Sequence, residues 1–207
     1  MNGTNQWLEW AKELQFLSQS ALAYCKDKFD IERFQRIREI SAEMAAEIGD
    51  MRLEEIKATF CSGTGYQTPK LDTRAAVIRE GKLLLVQEAN GLWALPGGWV
   101  DYNLTVRQNA KKEVLEEAGM EVEPTRVIAL HEHNLRNTTV FPHNICCVYI
   151  LCDYISGDFQ PNTETVACGF FGPDELPGPL SENKSTRQQI EMCFRAAANE
   201  NWKVEFD

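Results

Sequence analysis

Apolar residues recur every three or four positions through the first fifty residues. From about Asn5 to Tyr24, the set Trp7, Trp10, Leu14, Leu17, Ala21 and Tyr24 predicts one helix with a single apolar seam. Cys25 to Phe29 reads as a break, and Asp30 can cap a second helix. Its seam is Phe34, Ile37, Ile40, Met44 and Ile48, with Gly49 as a stop. Met51 to Ile56 adds a further helical turn or two. Two amphipathic helices on a short connection predict an antiparallel hairpin. A hairpin alone has too little core to be stable. Its seams must therefore pack on the rest of the chain or on a second copy, and a homodimer contact is the favoured reading. A DNA-reading helix-turn-helix is the rival. Against it, the second helix sets Glu32, Glu39, Glu43 and Glu47 against Arg33, Arg36 and Arg38, so no basic face dominates.

After a linker from Lys57 to Lys70 the period changes. Leu71 to Arg79 and Lys82 to Glu88 are apolar runs about a Glu80-Gly81 turn, which predicts a β-hairpin. Further strands are expected over Thr125 to His133, Asn144 to Tyr154 and Val166 to Phe171. Asn134 to Pro142 reads as a polar loop, and Ser156-Gly157-Asp158 as a turn. Ser185 with Gln188 caps a last helix bearing Ile190, Cys193, Phe194 and Ala197. The order predicts an α/β fold, a sheet covered by helices on two faces. The domain boundary is expected near residue 60, giving a helical domain over 1–60 and a second domain over 61–207.

Between the hairpin and the later strands lies Gly91 to Glu121, which carries the chemistry. Gly97 and Gly98 follow Pro96 in a turn, where a missing Cβ lets backbone come close to a ligand or metal. Thr105 with Gln108 forms a capping box, and Gly119 stops the helix that follows. At about 100° per residue, Ala110, Val114, Leu115 and Ala118 fall on one arc and Glu113, Glu116 and Glu117 on its neighbour. Three like charges at this spacing repel. They read either as carboxylates gathered for a hard cation, Mg²⁺ or Mn²⁺, or as a solvated acidic face.

This stretch resembles the Nudix box, which runs from a glycine through a glutamate to R-E-apolar-x-E-E-x-G-apolar. Gly98 matches the first glycine, and Glu113 to Met120 match the end without a gap. Trp93 to Gly98 supply the W-x-L-P-G-G that many Nudix proteins carry. Lys112 stands where arginine is usual, and Leu104 where the first glutamate is usual. Lysine keeps the charge without the bidentate fork, and leucine removes a carboxylate. The helical extension resembles that of a bacterial Nudix subgroup that includes CDP-choline and ADP-ribose pyrophosphatases. The resemblance implies a Nudix α/β/α sandwich with a mixed sheet, behind a small helical hairpin. It implies metal-dependent hydrolysis of a pyrophosphate link in a nucleoside diphosphate joined to another group.

On that reading Glu113, Glu116 and Glu117 are the metal ligands, with a carbonyl of Gly97 or Gly98 adding an oxygen. The general base must reach the attacking water. Glu117 serves if Glu113 and Glu116 hold the metal, and Glu164 is the second candidate. Asp101 either reaches the site or shapes the turn. Trp99 and Tyr66 are candidates for stacking on a base, and His143 for binding phosphate or substrate. His131 and His133 flank Glu132 and would share one face of a strand, though no third ligand suggests zinc.

Composition narrows the alternatives. The 207 residues are 43% hydrophobic and 25% charged, ordinary for a globular protein with a sizeable core. A net charge of −10 argues against broad binding to a nucleic-acid backbone. It therefore disfavours action on RNA ends, while a small nucleotide screened by metal stays open. A catalytically weak nucleotide-binding module is the other alternative, motivated by Leu104 and Lys112. No apolar run of about 18 residues exists to span a membrane, and MNGTNQWLEW is not a secretory signal. Seven cysteines without a C-x-x-C pair read as reduced thiols in a cytoplasmic protein.

Overall fold

Small side chains, rather than the large apolar ones, set the packing at the start of the chain. The computed structural model describes residues 3–49, 52–139, 141 and 143–207, and it divides into two units between Pro69 and Lys70. In the first, α1 (Gly3–Tyr24) and α2 (Lys28–Gly49) pack on each other across a break at residues 25–27. The buried face is Ala11, Gln15 and Ser18 with Ser41, Ala42 and Ala45. Ile56 and Phe60 of α3 (Leu53–Phe60) close it. Residues this small let helix backbones approach closely.

The seam expected from spacing lies elsewhere. Trp7, Trp10, Leu17 and Tyr24 are exposed, with the two indoles edge to face at 5.0 Å. On α2, Ile40 is exposed and Phe34, Ile37, Met44 and Ile48 are half-buried. The cap of α2 is Asp27 rather than Asp30. Its carboxylate accepts from the backbone N–H groups of Phe29 and Asp30, at 2.9 and 3.2 Å. The helical turn expected over 51–56 runs instead to Phe60, and Met51 lies outside the described residues.

The second unit contains β1 (Lys70–Arg79), β2 (Lys82–Glu88), β3 (Trp93–Ala94), α4 (Val106–Ala118), β4 (Met120–Glu132) and α5 (His133–Arg136). It continues with β5 (Ile145–Gly157), β6 (Thr165–Phe171), α6 (Arg187–Ala197) and β7 (Glu205–Phe206). The sheet order is β3-β2-β1-β5-β4-β7, with β6 also paired to β2. β1 and β5 are parallel, as are β4 and β7, and the remaining pairs are antiparallel. The sheet is therefore mixed, as expected. Ala110, Val114 and Ala118 of α4 pack on one face. Ile190, Cys193 and Ala196 of α6 pack on the other. Strand alternation sends Cys147 to the α6 face and Cys146 to the α4 face. No helix among the described residues is long and apolar enough to cross a membrane.

Several boundaries move for visible reasons. β4 begins directly after the cap of α4, because Met120 and Val122 are buried beside that helix. Pro124 is accommodated where the ladder shifts register. β5 runs on to Gly157, which pairs with Met120 at a φ of 100°. Residues 133–136 of the expected strand end and polar loop form α5, while Val140 and Pro142 lie outside the described residues. The last helix is capped by Thr186 with Gln189. The pair one step earlier, Ser185 and Gln188, offers the same pattern. Ser185 is used otherwise: its hydroxyl accepts from the Leu95 N–H at 3.1 Å.

Candidate active site

The glycine turn is laid along β1. Thr73 N–H donates to Gly98 O at 2.9 Å, Ala75 N–H to Pro96 O at 2.8 Å and Val100 N–H to Leu71 O at 2.9 Å. Gly97 holds a φ of 148°, and a Cβ there would stand 1.9 Å from the Thr73 carbonyl oxygen. A Cβ on Gly98 would stand 2.9 Å from Glu113 Oε2. Gly97 is thus required by close approach to the strand backbone, whereas a side chain at Gly98 would push the end of the Glu113 carboxylate aside.

α4 carries the acidic ridge up to this turn. Thr105 and Gln108 form the expected capping box, and Gly119 ends the helix at a φ of 67°. Ala110, Val114 and Ala118 anchor its inner face, whereas Leu115 is exposed. Glu113 and Glu117 are buried and Glu116 is exposed. The Gly97 N–H donates to Glu117 Oε2 at 3.0 Å, tying ridge to turn.

Between them opens a cleft of about 480 Å³. Gly97, Gly98, Trp99, Asp101, Glu113, Glu116, Glu117 and Glu164 all line it. Glu164 is brought there by a tether: Asn162 Nδ2 donates to the Glu116 carbonyl at 2.9 Å, and Asn162 Oδ1 accepts from the Glu164 N–H at 2.9 Å. His143 stands behind the lining, its ring 6.3 Å from Trp99 and 6.0 Å from Phe141. Tyr66 belongs to the first unit, edge to face with Phe16 at 5.5 Å. His131 faces Tyr149 at 5.4 Å, whereas His133 lines the cleft.

Asp72, Arg74, Phe141, Asn183 and Lys184 also line it, and sequence spacing did not single them out. Asp72 and Arg74 left a signal: two opposite charges on one face, inside an otherwise apolar strand. The loop positions left none. Arg74 Nε and Nη2 each lie 2.9 Å from an Asp72 oxygen, and Nη1 donates to Gly97 O at 2.9 Å. Both residues are buried. Burial alone would lower the Arg74 pKa, but Asp72 and other acidic neighbours outweigh it and hold it above its ordinary value. Arg74 therefore fixes the turn from beneath while Glu117 holds it from the side.

Lys112 is the cation at the mouth. Its Nζ lies 3.3 Å from Asp101, 3.2 Å from Glu113 and 3.3 Å from Glu116. Desolvation pulls its pKa down, and the three carboxylates more than reverse that. Asp101 thus supplies a partner for Lys112 where Leu104 supplies none. As the side chains stand, no three acidic, histidine or cysteine groups among the described residues converge closely enough to hold an ion. The Lys112 ammonium sits among the carboxylates in the place of a cation. The Glu113, Glu116 and Glu117 carboxylates and the Gly97 and Gly98 carbonyls are all oxygen donors, the kind that Mg²⁺ and Mn²⁺ prefer.

Desolvation raises the Glu113 carboxyl, and it pushes Glu117 up to about 7 against the Gly97 N–H and Arg74, which favour its ionised form. The folded metal-free protein then keeps a proton that the unfolded chain releases near 4.5. That contribution to stability is fully present below about pH 4.5 and is lost as pH rises through about 7. Without metal, wild type should lose on the order of 2–3 kcal/mol relative to Glu117→Gln between pH 5 and 8. Urea unfolding of both proteins in a chelator checks this, and a difference that does not change with pH would contradict it.

Residues 69–192 match the family model for the NUDIX domain. Residues 5–60 match a model described as a UDP-X-like, N-terminal oligomerisation domain. The chain is 36% identical to the putative ADP-ribose pyrophosphatase YjhB of Bacillus subtilis (strain 168) over 203 residues, 98% of this chain and 97% of that protein. Among solved structures it is similar to an ADP-ribose pyrophosphatase from Streptococcus suis 89-1591. That likeness has 51% identity and a TM-score of 0.63, over 68% of this chain and 100% of the other. It is also similar to a UDP-X diphosphatase, at 28% identity and a TM-score of 0.63 over 98% of each chain.

Proposed function

The chain belongs to the Nudix family of hydrolases, and on that premise we propose that it cleaves the pyrophosphate bond of a nucleoside diphosphate joined to a second group. Substrates of the ADP-ribose or CDP-choline type fit this reading, and the relatives named ADP-ribose pyrophosphatase put ADP-ribose first. Water adds to one phosphorus, the bridging P–O bond breaks, and a nucleoside monophosphate leaves. With ADP-ribose the products are AMP and ribose 5-phosphate.

The observation that carries this reading is the acidic ridge of α4 closing one end of a cleft against the double-glycine turn. Glu113, Glu116 and Glu117, with a carbonyl of Gly97 or Gly98, are the groups that would hold Mg²⁺ or Mn²⁺. A divalent ion there neutralises phosphate oxygens and lowers the pKa of the attacking water. Gly97 O already accepts from Arg74, and its second lone pair remains for a ligand. Glu117 has Oε2 on the Gly97 N–H, which leaves Oε1 as the oxygen available to an ion. Glu164 lines the same cleft on a loop tethered to α4, and it is the favoured base because the metal does not need it. Lys112 and Lys184 supply positive charge for phosphate along the same walls.

The test is release of AMP from ADP-ribose with Mg²⁺ or Mn²⁺, abolished by a chelator. Absence of product from ADP-ribose and CDP-choline after long incubation with Mn²⁺ would remove both substrates and favour the nucleotide-binding reading. We further propose that the first sixty residues join two copies of the chain, through the exposed Trp7, Trp10, Leu17 and Tyr24. Sedimentation at the mass of one chain would refute that.

A further inference from the structure

The chain between β5 and β6 passes the C-terminal end of α4 and is fixed there. Gly119 allows the approach: a Cβ at that position would stand 2.7 Å from the Asp158 carbonyl oxygen. Asn162 then uses both ends of its side-chain amide. Oδ1 accepts from the backbone N–H groups of Glu164 and Thr165, at 2.9 and 2.8 Å. Nδ2 donates to the Glu116 carbonyl at 2.9 Å, with the Glu117 carbonyl at 3.5 Å. One residue beyond Glu164 the chain is fixed again, because Thr165 is buried and pairs with Glu88 of β2. The main chain is therefore held on both sides of Glu164, although Glu164 itself is exposed.

The carboxylates that line the cleft differ in how they are engaged. Arg74 pairs with Asp72, Lys112 with Asp101, Glu113 and Glu116, and the Gly97 N–H with Glu117. The carboxylate of Glu164, the remaining one in that lining, has no hydrogen bond or ion pair with any described residue. An uncommitted carboxylate takes a proton from water without first breaking an ion pair. Its position then rests on the main chain alone, and the Asn162 amide ties that main chain to α4. A turn of this kind needs only Oδ1. Here Nδ2 is used as well, on the peptide oxygen of Glu116, whose side chain the proposed function assigns to the metal.

We propose that Asn162 is a positioning residue for the hydrolysis, setting the Glu164 carboxylate against the acidic ridge of α4 by joining the two main chains through one amide. The proposal rests on the reading of Glu164 as the base. It gives Asn162 no contact with substrate or metal, so loss of its side chain should slow the chemical step and leave binding alone. Displacing a reacting group by about 1 Å can cost about 10²-fold. Aspartate at this position separates the two ends of the amide. Its carboxylate still accepts from the two N–H groups, but it cannot donate to α4.

The experiment is a mutant cycle on the full chain, read by ADP-ribose hydrolysis, Mn²⁺ titration and amide exchange. Asn162→Ala and Asn162→Asp should each lower kcat at least about tenfold at saturating Mn²⁺. In Asn162→Ala, KM for ADP-ribose and the affinity for Mn²⁺ should stay within about threefold of wild type. Glu164→Gln should lower kcat about 10²-fold or more. Added to Glu164→Gln, Asn162→Ala should cost nothing further, because the group it positions is already gone. The amides of Glu164 and Thr165 should exchange faster in Asn162→Ala and keep their protection in Asn162→Asp. Asn162 is exposed, and Asn162→Asp keeps the turn, so that variant carries the test if the alanine variant fails to fold. Full activity of Asn162→Asp would reduce Asn162 to a local turn and overturn the proposal. So would an equal loss from Asn162→Ala with and without Glu164, a Mn²⁺ affinity that falls along with kcat, or wild-type activity of Glu164→Gln. Each of those results leaves the hydrolase reading standing. A wild-type chain that releases no nucleotide from ADP-ribose or CDP-choline would remove that reading for both substrates, and this inference with it.

Discussion

Glu117→Gln should lose about 10³-fold or more in metal-dependent hydrolysis of ADP-ribose while folding at least as well as wild type without metal. The change keeps the volume and the oxygen that accepts from Gly97 N–H, at 3.0 Å in the wild type. It removes the negative charge that a divalent ion requires. Loss of a single preorganised transition-state contact costs about 10²–10³-fold, and here affinity for the metal falls as well. Because burial makes the Glu117 charge unfavourable in the absence of metal, glutamine relieves a cost that the wild-type protein carries for function. Activity within tenfold of wild type, at saturating Mn²⁺, would remove Glu117 from the machinery. A melting temperature well below that of wild type in chelator would show instead that the carboxylate is structural.

Arg74→Met should lower stability by about 3–5 kcal/mol, and the melting temperature by roughly 10 °C. The methionine fills similar space, but Asp72 is then a buried carboxylate without its counter-ion. The pair is bidentate at 2.9 Å and both partners are buried, so solvent cannot replace the lost guanidinium. Removing one partner of such a pair is far worse than removing both. Asp72→Leu combined with Arg74→Met should therefore recover much of the loss. The double variant still lacks the hydrogen bond to Gly97 O, so activity should stay low while stability returns. A melting temperature of Arg74→Met equal to wild type would refute this account, and so would a double variant that falls by the sum of the single losses.

The acidic ridge was legible because its determinants are local. Thr105 meets Gln108 within one helical turn, Gly119 is the residue that accepts a left-handed cap, and Glu113, Glu116 and Glu117 share an arc whatever surrounds them. What that arc does was not legible. Glu113 and Glu117 are buried under the turn while Glu116 faces solvent, and Leu115, counted with the packed arc, is exposed. The same limit applies to α1. Spacing marked Trp7, Trp10 and Leu17 as a seam, but the partner helix instead covers Ala11, Gln15 and Ser18. Ser185 shows it on the smallest scale. Two capping patterns lay one residue apart, and a remote N–H at Leu95 decided between them.

By itself, then, the sequence determined the kinds of element, the capped helix with its three carboxylates, the glycine turn before it, and through these the family. Periodicity, caps and turns are settled within four or five residues of chain, so they can be read from it. Tertiary structure alone decided that Arg74, held by Asp72, braces the turn from β1, and that Asn162 ties the Glu164 loop to α4. Arg74 and Gly97 lie 23 residues apart and Glu116 and Asn162 lie 46 apart, and the first pair meets because the glycine turn is laid along β1.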